Sequence, residues 1–305
     1  MPFTGSSSSN EGAQIQGGKQ NRDRSLGRID RKKVLGTSKV EYASQGLSVN
    51  HTFGCYHGCR YCYAMENAVE YKSVESYEEW ANQVKIVTNV VEKVRDELSR
   101  KRKLPERIHM SFSGDPFMWD SVNRITVAEI ADVTVELIRV INDAGIYVTV
   151  LTKGIYPELP LDELDDRNQY GITLTSFNEA YRGQWEPGSP PPQDRVEALR
   201  ALSDRGARTW VSVEPYPTPE MAVDAGDVVS LLDKIEFVDK VIFGKMNYDD
   251  QADAYDRNVD PTFYPRVASE VRAWCAERGK PLHVKRGTPL HTPDMVDILN
   301  VVAEG

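Results

Sequence analysis

The run His51-Thr-Phe-Gly-Cys55-Tyr-His-Gly-Cys59-Arg-Tyr-Cys62-Tyr63 decides how the rest of the chain is read. Three of the four cysteines fall within eight residues, spaced C-x3-C-x2-C. Three thiols so close cannot all pair with one another as disulfides. A short irregular loop can instead wrap them around one soft metal centre. Zinc sites usually take four ligands, with C-x2-C pairs repeated at a distance. No second pair follows here, and the remaining cysteine is Cys275. Three cysteines fit a 4Fe–4S cluster with one iron left open, and an open iron is a place for a reaction. On spacing alone, a zinc knuckle or a non-catalytic cluster stays open as the alternative.

Outward from this loop the chain alternates. Apolar spacing predicts strands at 48–53, 108–112, 146–151, 170–175, 209–213, 238–243 and 282–284. Between and after them it predicts helices at 74–102, 125–144, 161–165, 192–205, 223–235, 261–278 and 294–302. Trp80, Val84, Val87, Val91, Val94 and Leu98 carry the first helix, and prolines open the one at 192. Strand then helix, repeated six or seven times, implies a parallel sheet with helices outside it. No Gly-x-Gly-x-x-Gly follows the first strand, so a dinucleotide site is not supported. Unusual polar residues instead follow strand after strand: Cys55, Ser113 to Asp115, Lys153, Ser176, Glu214, Lys245 and Lys285. In a (β/α) barrel those ends share the face where chemistry occurs.

Composition narrows the class. A chain of 305 residues can bury a sizeable core. It has no run of 18 apolar residues and no signal-peptide core, and its clustered thiols point to the reducing cytoplasm. The net charge of −9 argues against a generally basic nucleic-acid surface. Residues 1–40 differ, carrying +5 against −14 for the rest. Such an arm can hold phosphates, or it can be a solvated leader. Residues 1–25, rich in Gly, Ser, Gln and Asn, read as a disordered leader. Residues 26–47 read as an N-terminal approach segment, and 48–305 as one domain.

The cysteine spacing, with Tyr61 before the last cysteine, resembles the cluster motif of the radical S-adenosylmethionine (radical SAM) superfamily. The resemblance runs over roughly residues 48–288. It implies an α/β fold, a partial (β/α)6 TIM-type barrel, here with an extra C-terminal strand and helix. In that family the open iron of a 4Fe–4S cluster is chelated by S-adenosylmethionine (SAM). One electron then cleaves SAM to a 5′-deoxyadenosyl radical that takes a hydrogen atom from a substrate. A low-potential donor, ferredoxin or flavodoxin, is implied as partner.

The same resemblance assigns residues. Cys55, Cys59 and Cys62 bind the cluster, and Tyr61 packs near the adenine. Ser113-Gly114-Asp115-Pro116 is similar to the family segment that binds the SAM amino group, though it is also strong turn chemistry. Lys153 and Arg195 reach the SAM carboxylate, and Ser176, with Asn178 behind it, faces the ribose. An ion pair on the helix surface is the plainer reading of Arg195. Tyr61-Cys-Tyr63 is shared with spore photoproduct lyases, whose tyrosines help relay a hydrogen atom. Ser113 stands about where that branch has a cysteine donor, and a serine O–H is too strong a bond for that role. Trp185-Glu-Pro-Gly-Ser-Pro190 resembles a branch described as DNA repair photolyases. The stretches 211–215, 241–245 and 282–285 resemble a phage-associated radical SAM group.

Glu214 and Lys245, with Asn247, Tyr248, Lys285 and Arg286, are expected at the barrel mouth. Glu214 paired with a lysine is equally a structural ion pair. The acidic loop 247–260 is a lid or a solvated loop. The five histidines do not cluster in sequence, and Cys275 reads as core. The substrate can be a nucleic-acid base, with the basic arm as contact, or a peptide or small metabolite. The lack of further cysteines weighs against an auxiliary cluster. A zinc- or cluster-stabilised binding protein and a non-catalytic SAM binder are the competing functions.

Overall fold

The computed structural model describes residues 24–37, 46–247 and 249–289. The elements in chain order begin with β1 (Ser25–Ile29), β2 (Leu35–Thr37), β3 (Leu47–Val49) and β4 (Thr52–Phe53). After the cysteine loop come α1 (Tyr63–Glu70), α2 (Tyr77–Asn82), β5 (Gln83–Val87), α3 (Val90–Ser99) and β6 (Arg107–Met110). A small hairpin, β7 (Trp119–Asp120) and β8 (Ile125–Thr126), precedes α4 (Ala128–Asp143) and β9 (Tyr147–Thr152). Then follow β10 (Gln169–Thr173), α5 (Glu179–Trp185), α6 (Pro192–Asp204), β11 (Arg208–Tyr216), α7 (Val228–Asp233) and β12 (Lys240–Lys245). The last described elements are α8 (Asp250–Asn258), α9 (Phe263–Glu277) and β13 (Leu282–Val284).

The main sheet has the order β13-β12-β11-β10-β9-β6-β3-β2. Every pairing from β3 to β13 is parallel, and β2 joins β3 antiparallel. The sheet does not close among the described residues; β2 and β13 remain its edges. It is the expected partial barrel, with β13 as the extra strand. Strands covered on both faces read as continuous apolar runs, as Tyr147–Thr152 does. Outside them α4 lays Ile130, Thr134, Leu137, Ile138 and Ile141 inward at helical spacing. Its end turns at Gly145, whose φ of 77° favours glycine.

Three predicted helices are corrected. The stretch 74–102 breaks into α2, β5 and α3. Val84, Ile86 and Val87 are buried strand residues, because β5 lies between β1 (parallel) and β4 (antiparallel) in a second sheet. The helical spacing of Val84, Val87 and Val91 was an accident of a strand running into a helix. The predicted start at 125 belongs to the hairpin, and α4 begins at Ala128. Val223 is exposed, and α7 begins at Val228, where the Asp227 carboxylate accepts from the Ser230 N–H at 2.9 Å. At the N-terminus, residue 25 already belongs to β1. Arg24 pairs with Asp120 at 2.5 Å and Arg28 with Glu129 at 2.6 Å, so two bases of the arm bind the domain itself. The predicted helix 294–302, Tyr248 and most of the leader lie outside the described residues.

Candidate active site

Three separate elements pin the cysteine loop by its backbone. Gly54 N–H donates to Ser113 O at 3.0 Å, Cys55 N–H to Trp80 O at 3.1 Å, and Arg60 N–H to Trp185 O at 2.9 Å. Gly188 N–H donates to His57 O at 2.9 Å, and a Cβ there would stand 1.9 Å from Tyr56 O. Gly54 turns the chain at φ 90°, where few L residues fit. The Tyr77 hydroxyl donates to Gly58 O. Cys62 then opens α1.

All three thiols are free and line one cavity of about 450 Å³. Burial pushes the Cys59 thiol up to about 12, Lys153 opposing. Burial, Asp115 and the neighbouring thiols push Cys55 well up. Thiols in such a place ionise when a soft cation compensates them. Among the described residues no three His, Cys, Asp or Glu side chains converge as a site for a single metal ion. Thiolates on one zinc ion lie about 3.8 Å apart, from bonds of ~2.3 Å. Three thiols lining one cavity are also the donor type a multi-iron cluster takes. Two buried polar atoms without a protein partner, Trp80 Nε1 and Ser111 Oγ, belong to residues of the same wall. Ser111 also has a φ of 63°, a strain of about 1–3 kcal/mol for a residue with a side chain. Donor set, open volume and orphaned groups fit a bound cluster with an organic ligand.

Asp115 lines the cavity too, but its carboxylate already holds the site together. Oδ1 accepts from Phe117 N–H at 2.9 Å and the Thr152 hydroxyl at 2.5 Å, and Oδ2 from Lys153 N–H at 2.8 Å. His57 Nδ1 lies 3.5 Å away. Burial lowers His57 to about 4 against the pull of Asp115, and Nε2 accepts from Trp119 N–H at 2.9 Å. Gly114 is required beside it: a Cβ would stand 2.2 Å from Thr52 Oγ1. The Ser113 hydroxyl turns away and donates to Thr52 O at 2.5 Å.

A buried chain of charges runs behind the loop. The Lys153 ammonium stands over the Tyr61 ring, 5.1 Å from its centre. Burial disfavours its charge, yet Cys59, Glu186 and Cys62 more than offset that and raise it. The Tyr61 hydroxyl donates to Glu186 Oε1. Burial would raise Glu186, but Arg195, Lys153 and the Tyr61 hydroxyl hold it at about 2. Arg195 Nη2 donates to Glu186 Oε2 at 2.6 Å and to Ser189 Oγ at 2.8 Å. Nε and Nη2 both reach Pro190 O, and Nη1 reaches Thr173 O.

The opposite wall comes from the ends of β11, β12 and β13. Lys285 pairs with Glu214 at 3.0 Å, and Lys245 with Asp256 at 3.2 Å. Gly244 lies between the first pair, where a Cβ would stand 3.0–3.1 Å from Glu214 and Lys285 carbons. Tyr63, half exposed, lines the cavity, its hydroxyl 3.4 Å from Phe112 O. The floor holds His109, stacked on Phe112 at 4.4 Å and lowered to about 3 by burial, Arg107 and Lys240.

Of the residues expected at the site, the cavity gathers Cys55, Cys59, Cys62, Tyr61, Tyr63, Gly114, Asp115, Lys153, Glu214 and Lys245. Four are placed elsewhere. The Ser113 hydroxyl faces β4. Ser176 donates to Asp224 Oδ1 at 2.6 Å and is not in the wall. Asn178 caps α5. Arg195 is neither a surface pair with Glu197 or Asp194 nor a cavity residue; it is buried against Glu186. Glu186 was missed, although the Trp185–Pro190 motif contained it. A lone Glu before Pro gave a signal only through its neighbours.

Comparison with known proteins bears on the family and the fold. The family model described as "Radical SAM superfamily" matches residues 49–221, more than half of the chain. The chain belongs to the radical SAM superfamily. An uncharacterized protein of Methanocaldococcus jannaschii is 23% identical over 190 residues, 62% of this chain and 66% of that protein. The uncharacterized protein ORF301 of Acidianus two-tailed virus is 22% identical, covering 67% of each. For the uncharacterized Mycobacterium tuberculosis protein Rv2578c the figures are 26%, 59% and 52%, so the chain spans about half of that relative. Among solved structures, spore photoproduct lyase complexed with dinucleoside spore photoproduct superimposes with a TM-score of 0.60 at 13% identity, covering 85% of this chain and 82% of that one. Streptococcus suis SuiB bound to S-adenosylmethionine gives 0.51 at 10%, covering 78% and 49%. These likenesses concern the fold. No helix among the described residues is long and apolar enough to cross a membrane.

Proposed function

We propose that the chain is a radical SAM enzyme whose Cys55, Cys59 and Cys62 hold a 4Fe–4S cluster with SAM at its open iron. The carrying observation is that three free thiols, Lys153 and Tyr61 share one open cavity at the strand ends. When bound, cluster and SAM supply reductive cleavage to a 5′-deoxyadenosyl radical and hydrogen abstraction from a substrate. The chain's residues supply the setting. Lys153 offers a cation for the SAM carboxylate, fixed over the Tyr61 ring. Gly114 permits close backbone approach. Asp115, Ser113 and Arg195 act from behind the wall: Asp115 orients Lys153 through its backbone, and Arg195 orients Tyr61 through Glu186. Ser176 supports the β10 end. Tyr63, Glu214 and Lys245 line the opposite wall, where the second substrate sits.

The reaction class needs a reductant, and a low-potential ferredoxin or flavodoxin fits that need. The substrate reading stays between a nucleic-acid base and a peptide or small metabolite. Anaerobic reconstitution tests the proposal. About four iron and four sulfide per chain are expected, with an EPR signal that SAM perturbs and 5′-deoxyadenosine on reduction. Protein that binds zinc instead, or an iron signal indifferent to SAM, would sink it.

A further inference from the structure

Trp80 carries a feature that packing does not explain. It is 1% exposed, and Cys55 and Cys62 pack against the small cluster it forms with Ala68 and Val74. Phe53 meets its ring edge-on at 5.1 Å, and its carbonyl takes the Cys55 N–H. Its indole Nε1 is buried without an acceptor, and Trp80 is among the residues that line the cavity with the three thiols. An indole N–H can only donate. A hydroxyl such as that of Ser111 can rotate or accept, but the indole needs an acceptor brought to it. A phenylalanine would fill the same apolar space without a buried donor. Buried N–H groups are rarely left unpaired, and Trp80 is the buried indole whose residue lines the thiol cavity, which makes a group filling that cavity beside Cys55 and Cys62 the natural source of an acceptor.

We propose that Trp80 tunes the cluster: its Nε1–H donates a hydrogen bond to a sulfur of the iron–sulfur group held by Cys55, Cys59 and Cys62. This rests on the cluster reading above. Trp80 breaks no bond and carries no electron. Its donor favours the more negative, reduced state of the cluster and so raises the reduction potential, as hydrogen bonds to cluster sulfurs do. The reductant then loads an electron more easily.

The test compares wild type and Trp80→Phe, both reconstituted anaerobically without SAM, by EPR-monitored redox titration. Equal iron content and a lower midpoint potential for the variant are expected. Equal potentials at equal iron content overturn the assignment. Wild-type enzyme alone gives a second reading if the variant fails to fold. Exchange into D2O should shift the Fe–S stretching bands in resonance Raman spectra, and Trp80 predicts that shift persists with the cavity closed by SAM. Bands that do not move overturn the assignment equally. Wild-type protein that takes up no iron overturns the cluster reading as well, and the iron assay tells that failure from the other two.

Discussion

Two ion pairs of similar chemistry flank the cavity and differ in kind. Arg195–Glu186 sits behind the thiol wall with side chains 1% and 3% exposed. Lys285–Glu214 sits in the opposite wall at 18% and 21%. The first is closed: the guanidinium also bonds Thr173 O, Pro190 O and Ser189 Oγ, and the carboxylate also takes the Tyr61 hydroxyl. Nothing that enters the cavity can exchange with it cheaply. The second pair faces the cavity, so an incoming polar group can replace either partner. One pair is closed off behind the wall and the other is open to the cavity.

The sharpest way to break this contrast is on the fixed wall. Cys59→Ala should lose essentially all iron after reconstitution, while the fold, followed by circular dichroism, persists. Retained iron would remove the thiol wall from the scheme. Next, Arg195→Ala strips buried Glu186 of its guanidinium partner and leaves it the Tyr61 hydroxyl, a loss of about 3–5 kcal/mol in denaturant unfolding. A loss below about 1 kcal/mol would make the pair no different from a surface one.

The pH dependence comes third. Burial holds His51 near 4 and His109 near 3 in the folded chain, against 6.5 ordinarily. Between those values the unfolded chain takes protons that the folded one refuses. Stability from these groups is therefore complete above about pH 6.5 and falls as pH drops, by about 1.4 kcal/mol per pH unit for each histidine. His109→Asn should flatten the acid slope by about that amount, and an unchanged slope would contradict the burial account. The smallest effect belongs to the cavity-facing pair. Glu214→Gln should change stability by less than about 1 kcal/mol yet alter substrate affinity, and a large stability loss would move it into the same class as Arg195–Glu186.

The sequence was most legible where chemistry is local. C-x3-C-x2-C placed three side chains on one loop, and strand-end residues such as Lys153, Glu214 and Lys245 met at one face because parallel strands point their ends the same way. It was least legible where partners are distant. Nothing near Ser176 shows that Asp224, 48 residues on, takes its hydroxyl. Nor does Glu186 reveal that it answers Arg195 on one side and Tyr61, 125 residues back, on the other. Strand β5 hid for a related reason: its partners are β1, within a stretch that reads as polar leader and approach, and the two-residue β4.

The pinning of the cysteine loop bears on what holds it in place. Its backbone is bonded to Ser113, Trp80 and Trp185, partners that belong to the polypeptide itself. A zinc finger is unfolded until its ion arrives. Here part of the hold on the loop is polypeptide: its N–H···O bonds to Ser113, Trp80 and Trp185 add to whatever bonds the three thiols make, so the loop is tied to the fold by two independent kinds of bond.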